Sequence, residues 1–364
     1  MLGPRALNRA LLARQSLLER RSMPAMETLE HLVGLQAQAP LAPYVALWSR
    51  LVDFDPSELS DVILERRAVR TSLMRATIHL VTARDALWLW PLIQPVLERG
   101  FRSSIFGQKI RGLDLTGILA AGRELLEERP RRGPELASLL LERWPEVPPD
   151  SLAYAVGYLV PLVHVPPRGV WGKRGPVART TTEGWLGQPL DRGSTLDELV
   201  LRYLGAFGPA TVMDIQAWSG LTRMREVTER LRPRLLTFRD GSGRELFDLP
   251  DAPRPDPDPP APPRFLPEYD NILLGHADRT RIIPSGRAIP LAPGNGAAMG
   301  SILLDGMMAG EWRIRRVGER RTLGIEPFEP IAAAERTLLE DEGARLLAFT
   351  GGAGGEIVVH RPTS

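Results

Sequence analysis

The chain has 364 residues, 43% of them hydrophobic and 25% charged, a globular mix long enough for two or three packed units. It contains no cysteine, which excludes disulfides, thiolate zinc sites, iron–sulfur clusters and a cysteine nucleophile, and its five histidines (31, 79, 164, 276 and 360) form no i, i+4 pair of the zinc-protease kind. The net charge of +2 hides a bias: Lys109 and Lys173 are the only lysines, so 44 of the 46 basic residues are arginine, whose planar fork matches phosphate. A GC-rich genome would produce the same bias, so it does not by itself decide the partner.

Apolar positions Leu7, Leu11, Leu12 and Leu18 recur at helical spacing over residues 4–20, and Met26, Leu29, Leu32 and Val33 share one face of a second helix over 23–35. Helices at 45–51 and 56–66 follow, then short β runs at 69–74 and 77–82 and a helix at 83–97. The same grammar recurs. Helices at 115–128, 133–143 and 151–158 lead to a strand at 162–165, a tip at 166–175 and a strand at 177–181. Helices at 194–207, 211–219 and 224–231 lead to strands at 235–239 and 245–249 around the hairpin signal Asp240-Gly241-Ser242-Gly243, with Ser194 and Asp197 as candidate caps. Three helices followed by a β-hairpin is the winged-helix arrangement. The expected fold is therefore α+β, with winged-helix units at 1–112, 113–192 and 193–250, a stiff extended linker at 251–264 holding seven prolines, and a mixed α/β domain at 265–364. That last domain should hold a hairpin over 303–316 turning at Asp305-Gly306 and one helix near 331–348, while the glycine run at 351–355 lacks the lysine of a phosphate loop. The longest uncharged runs, 151–167 and 288–304, fall short of the roughly 20 residues that cross a bilayer. Arg5, Arg9 and Arg14 interrupt any signal-peptide core, so a soluble cytoplasmic protein is expected.

Winged-helix units commonly place a helix in the major groove and a wing on the backbone. Arg168, Lys173, Arg174 and Arg179 gather around Trp171 on the second wing, and Arg239 and Arg244 flank the third. The same fold also serves protein–protein contacts, and a charged tip is commonly a solvated loop. A second feature is Gln36-Ala37-Gln38-Ala39-Pro40: Pro40 disfavours helix at Ala39, and in an extended chain Gln36 and Gln38 point to one side. Residue type alone favours the plainer reading, two polar residues closing a helix.

Leu35-Gln36-Ala37-Gln38, Pro43-Tyr44 with Leu47-Trp48, Arg75-Ala76-Thr77-Ile78-His79-Leu80-Val81, Leu266-Pro267-Glu268-Tyr269-Asp270-Asn271, His276-Ala277-Asp278-Arg279 and Leu304-Asp305-Gly306 with Ala309-Gly310-Glu311-Trp312 together resemble the YcaQ/AlkZ family of winged-helix DNA glycosylases. The resemblance spans most of the chain and is closest to the AlkZ branch, whose paired glutamines replace the Gln/Asp pair of the YcaQ branch. Enzymes of that branch unhook interstrand crosslinks and protect producers of the alkylating antibiotic azinomycin. The resemblance thus implies a cofactor-free, metal-free, monofunctional glycosylase. Its substrate would be double-stranded DNA carrying an N7-alkylpurine or an interstrand crosslink, and it would act as a monomer in base excision repair and self-resistance. It also implies Gln36 and Gln38 as the catalytic pair. Arg75, Thr77, His79 and Arg279 become candidates for contacting DNA, His79 being equally readable as a structural histidine. Asp270, Asn271 and Asp278 also match, and the two aspartates are read first as turn stabilisers or partners for arginine.

An N7-alkylated base is cationic and leaves readily, so two uncharged amides that hold water and face an oxocarbenium-like sugar would suffice. A base tied to the opposite strand cannot swing into a closed pocket, so an open concave DNA channel without a deep pocket is expected, with the loop at 282–299 a candidate for probing the duplex. The competing reading is a non-enzymatic winged-helix DNA-binding regulator, which would dimerise on a palindrome and tolerate loss of both glutamines.

Overall fold

The computed structural model describes residues 1–285, 287, 299–317, 320–351 and 354–362. Helix α1 (Pro4–Arg14) stops well short of Arg20, and α2 (Ala25–His31) stops short of Leu35. Val33 and Gly34 adopt left-handed φ of 55° and 90° and turn the chain into strand β1 (Leu35–Gln36). Glycine is required there because a Cβ on Gly34 would lie 2.4 Å from Val81 Cγ1. Helices α3 (Ala42–Trp48) and α4 (Pro56–Leu64) precede the hairpin β2 (Ala68–Ser72) and β3 (Ile78–Thr82), from which α5 (Ala83–Ser103) runs on through Pro91 and Pro95.

Next come α6 (Ile105–Lys109), α7 (Thr116–Glu128), β4 (Arg131–Arg132), α8 (Gly133–Leu141), α9 (Pro149–Leu159), β5 (Leu162–His164), β6 (Ala178–Thr181) and α10 (Thr182–Leu186). These strands do not form a separate sheet. One six-stranded sheet runs in the order β1-β3-β2-β5-β6-β4, joined where β2 pairs antiparallel with β5. Strand β1 lies at its edge.

Helices α11 (Leu196–Phe207), α12 (Val212–Ser219) and α13 (Met224–Leu231) lead to the hairpin β7 (Leu236–Arg239) and β8 (Glu245–Asp248). The cap of α11 is neither Ser194 nor Asp197: Thr195 accepts from Glu198 N, Ser194 Oγ donates to Trp88 O, and Asp197 pairs with Arg230. The Asp240 carboxylate holds the β7–β8 turn, accepting from the backbone of Ser242 and Arg244 at 2.9 Å each.

The proline-rich stretch is bound along its length to α1. Arg5 Nε donates to Pro257 O at 2.7 Å, Arg9 Nε to Pro259 O at 2.9 Å and Arg14 Nη2 to Pro253 O at 3.2 Å. Beyond it, β9 (Arg264–Leu266), α14 (Asn271–Leu274), β10 (Gly300–Leu304), β11 (Met307–Val317), β12 (Arg320–Pro327), α15 (Ala333–Phe349) and β13 (Glu356–Val359) complete the chain. Their sheet has the order β13-β12-β11-β10-β9, and β10 and β11 turn at Asp305-Gly306, whose φ values are 44° and 80°. The loop at 282–299 falls in large part outside the described residues, as do residues 352 and 353 of the glycine run. Among the described residues no helix is long and apolar enough to cross a membrane.

Several ion pairs join the N-terminal helices to the C-terminal domain, among them Arg9–Asp305 and Arg20–Glu342, and one of them is fully buried. Arg50, just past α3, donates to both oxygens of Asp270 at 2.7 and 2.9 Å, and neither side chain is exposed to solvent. Removing one member of a buried pair leaves the other charged and dry. Asp270→Ala should therefore lower the unfolding free energy by about 3–5 kcal/mol in urea denaturation, against near-neutral loss for an exposed pair such as Arg84–Glu30.

Candidate functional site

Asp270 also caps α14, accepting from Ile272 N at 3.2 Å, and so fixes the direction of the next side chain. Asn271 brackets β1: its Nδ2 donates to Gly34 O at 2.7 Å and its Oδ1 accepts from Gln36 N at 3.2 Å. On the other side β1 pairs with β3, Leu35 opposite Leu80 and Gln36 opposite His79. A two-residue edge strand is thus held by a sheet partner and by one amide side chain.

Gln36 is buried. Its Oε1 accepts from Arg75 Nη2 at 2.7 Å, and because guanidinium only donates, this contact fixes which end of the Gln36 amide is oxygen. Arg75 Nη1 donates to Trp218 O at 2.5 Å, tying the site to α12. To aim Arg75 this way the turn at 74–76 places Arg75 and Ala76 at φ of 56° and 57°, left-handed conformations that cost on the order of 1–3 kcal/mol each for such residues. Burial and the neighbouring charge of Arg279 lower the Arg75 pKa to about 10.

After Gln36 the alternation ends. Ala37 still bonds to Ile78 O, but Gln38 lies in a bend, its Oε1 accepting from Ile78 N at 3.4 Å. Gln38 lines an open cleft of about 520 Å³ with Arg70, His164, Arg168, Arg179, Tyr154, Tyr158 and Tyr269. A second cleft of about 590 Å³, with Trp171, Lys173, Arg174 and Glu268 in its wall, meets the first at Ala39 and Pro40. The two glutamines therefore occupy different settings, Gln38 at the cleft and Gln36 buried in the sheet beside His79, rather than one shared open face.

The remaining sequence candidates divide in the same way. Arg168, Lys173 and Arg174 line the clefts. Thr77 donates to Met74 O within the turn, and His79, 2% exposed, has its Nδ1 3.0 Å from Thr77 O. Since a carbonyl only accepts, His79 carries its proton on Nδ1; neither residue presents its side chain to a strand, because both are engaged by the turn that aims Arg75. Arg279 donates to His276 O beside Arg75. Arg239 donates to Gly243 O, and Arg244 is engaged by Asp240 and Asp278, so the latter's charge is already met. Sequence reasoning did not single out Asn271's bracket, Arg70 or His164. Only the first left a signal, as part of a motif whose residues matched without a role. Among the described residues no cluster of three His, Asp or Glu is arranged to hold a metal ion.

A family model described as DNA glycosylase AlkZ-like matches residues 29–349. Among solved structures, the DNA glycosylase AlkZ of Streptomyces sahachiroi superimposes with a TM-score of 0.76 at 18% identity, covering 98% of this chain and 99% of that one. No curated protein sequence matches.

Burial and the Arg75 charge lower His79 to a pKa of about 3, and burial lowers His276 to about 3 as well. Between that value and the unfolded value near 6.5 the unfolded chain binds more protons, so stability is lost as pH falls below about 6.5. Each of the two should remove about 2 kcal/mol by pH 5. The unfolding free energy from urea denaturation should fall between pH 7 and pH 5, and His79→Gln should make that fall about 2 kcal/mol smaller.

Proposed function

Since the chain belongs to the AlkZ-like family of DNA glycosylases, we propose that it hydrolyses the N-glycosidic bond of N7-alkylated purines in duplex DNA, that it unhooks interstrand crosslinks, and that Gln36 and Gln38 carry the reaction. The observation that carries this reading is the hold on Gln36. Two left-handed residues and a half-buried guanidinium aim one uncharged amide, an arrangement whose expense packing alone does not require.

In the reaction the C1′–N9 bond breaks and its electron pair leaves with the purine, cancelling the cationic charge that alkylation placed on the ring. No strong acid is needed for that departure. Gln38 accepts a hydrogen bond from the attacking water at the cleft, while Gln36, whose carbonyl oxygen is oriented by Arg75, uses the second lone pair of that oxygen to hold the water or to face the positive charge developing at C1′. Water adds to C1′ and releases its proton to solvent. Positioning and oriented dipoles carry the rate, so neutral undamaged bases, which leave poorly, are spared.

The three groupings at 1–112, 113–192 and 193–250 are read as winged-helix units set along a duplex as monomeric binders. Lys173 and Arg174 supply backbone contacts from the second wing. On the third, Arg239 is the better phosphate candidate, since Arg244 already has two carboxylates. Two clefts that meet at Ala39–Pro40 leave a tethered base room to remain attached to the opposite strand, which favours crosslinks as substrates.

Incubated without metal or cofactor, the protein should release N7-methylguanine from a duplex and leave an alkali-labile abasic site. The variant carrying Gln36→Ala and Gln38→Ala should lose release by at least a hundredfold while binding DNA within a few-fold of wild type, because neither side chain is charged. Release that survives in the double variant would remove the glutamines from the chemistry. No release from either a monoadduct or an N7-linked crosslink would leave a DNA-binding regulator.

A further inference from the structure

Strand register builds a row of basic side chains, two arginines flanking one histidine. Arg70 in β2 stands opposite His164 in β5, which stands opposite Arg179 in β6, so the three share one face of the sheet. Directly opposed like charges destabilise a sheet. The fold meets this problem one strand further on, where Arg131, opposite Arg179, is paired with Glu128 and Glu135. It does not do so in the row itself: among the described residues Arg70, Arg179 and the adjacent Arg168 form no ion pair, and no carboxylate lines the cleft they enter.

Burial sharpens the contrast. Arg70 is 3% exposed; its Nη2 donates to Ala37 O at 2.8 Å, but Nε and Nη1 are buried without a partner, as is Nδ1 of His164. The backbone makes room for these groups. A Cβ on Gly169, whose φ is +96°, would lie 2.9 Å from Arg70 Cδ, and one on Gly157 would lie 2.7 Å from Arg179 Nη1. Burial and the surrounding arginines hold His164 well below its ordinary pKa, so it is neutral until an anion arrives. Three guanidinium groups and an imidazole, with unsatisfied donors and no acid, are complementary to one small, multiply accepting anion.

We propose that Arg70, His164, Arg168 and Arg179 form a socket for a single backbone phosphate of the DNA strand that carries the reacting sugar, seated beside Gln38. This rests on the glycosylase reading for the identity of the strand, and on the sheet register for the socket. Bound there, one phosphate supplies the missing hydrogen bonds and sets the distance from the backbone to the glutamines. Tyr154 and Tyr158, stacked with ring centroids 4.6 Å apart, form the adjoining wall.

A duplex bearing N7-methylguanine on a 2′-fluoroarabinose, which resists hydrolysis, is prepared with one uncharged methylphosphonate walked across the five linkages on either side of the lesion. Wild-type affinity should fall about tenfold at one linkage. Arg70→Met and Arg179→Met should each bind the unmodified duplex about tenfold more weakly and lose the sensitivity to that linkage. Equal sensitivity in wild type and variants at every linkage overturns the socket, while base release from ordinary N7-methylguanine independently tests the glycosylase reading. Without DNA, inorganic phosphate should raise the melting temperature of wild type but not of Arg70→Met. Equal stabilisation of both overturns the proposal too. Arg70→Met alone should melt no lower than wild type, since it removes a buried charge lacking a counter-ion; Arg179→Met carries the test if it does not fold.

Discussion

The Arg50–Asp270 pair is the constraint on which the arrangement of the site depends. Two fully buried charges are tolerable when their geometry is good and most of their remaining donors are met, and of the Arg50 nitrogens Nε alone is buried without a partner. Here Arg50 also donates to Ala46 O and to Gln15 Oε1, and Gln15 passes the connection on to Ala206 O in α11. One guanidinium thereby gathers the ends of α1 and α3, the middle of the chain, and α14. Because Asp270 is immobilised, Asn271 is too, and the strand bearing Gln36 inherits its position from a carboxylate 234 residues further along the chain.

A second principle of the fold is complementarity between donor-rich and donor-poor sequence. Prolines have carbonyls but no N–H, so a proline-rich stretch cannot enter a sheet interior and would otherwise leave its acceptors to solvent. Arginine has only donors. Arg5, Arg9 and Arg14 of α1 convert that stretch from a spacer into a strap, with Arg14 reaching Asp248 as well at 2.6 Å. The two compositional oddities of the chain, abundant arginine and abundant proline, answer one another.

Much of this was legible in the sequence. Periodicity found the helices of the middle and third units within a few residues, and Asp-Gly-Ser-Gly marked the turn of the third unit and Asp305-Gly306 that of the C-terminal hairpin. Periodicity overran at Met23 to Leu35 because Leu32 and Val33 continue the apolar stripe although the helix has ended; it ends in the left-handed pair Val33-Gly34, whose amides bond back to Glu30 O and Leu29 O. Extended-chain alternation placed Gln36 and Gln38 on one side, but the bend at Gln38 separates their settings. The roles of Arg75, Thr77 and His79 were hidden for a similar reason. Basic and polar residues near a site suggest contact with a ligand, whereas here they turn inward to hold a strained turn and a neighbouring amide. Arg70 and His164 belong to short runs with no distinguishing pattern, and only pairing across the sheet brings them into line.

The bracket that Asn271 places on β1 also sets a timetable. Synthesis runs from the N-terminus, and domains commonly fold as they emerge. Helices α1 to α13 can pack while the ribosome is still translating, yet β1 has no side-chain clamp and Arg50 no counter-charge until residues 270 and 271 leave the exit tunnel. The clamp on the strand that bears Gln36 is thus completed only after more than three-quarters of the chain has been made.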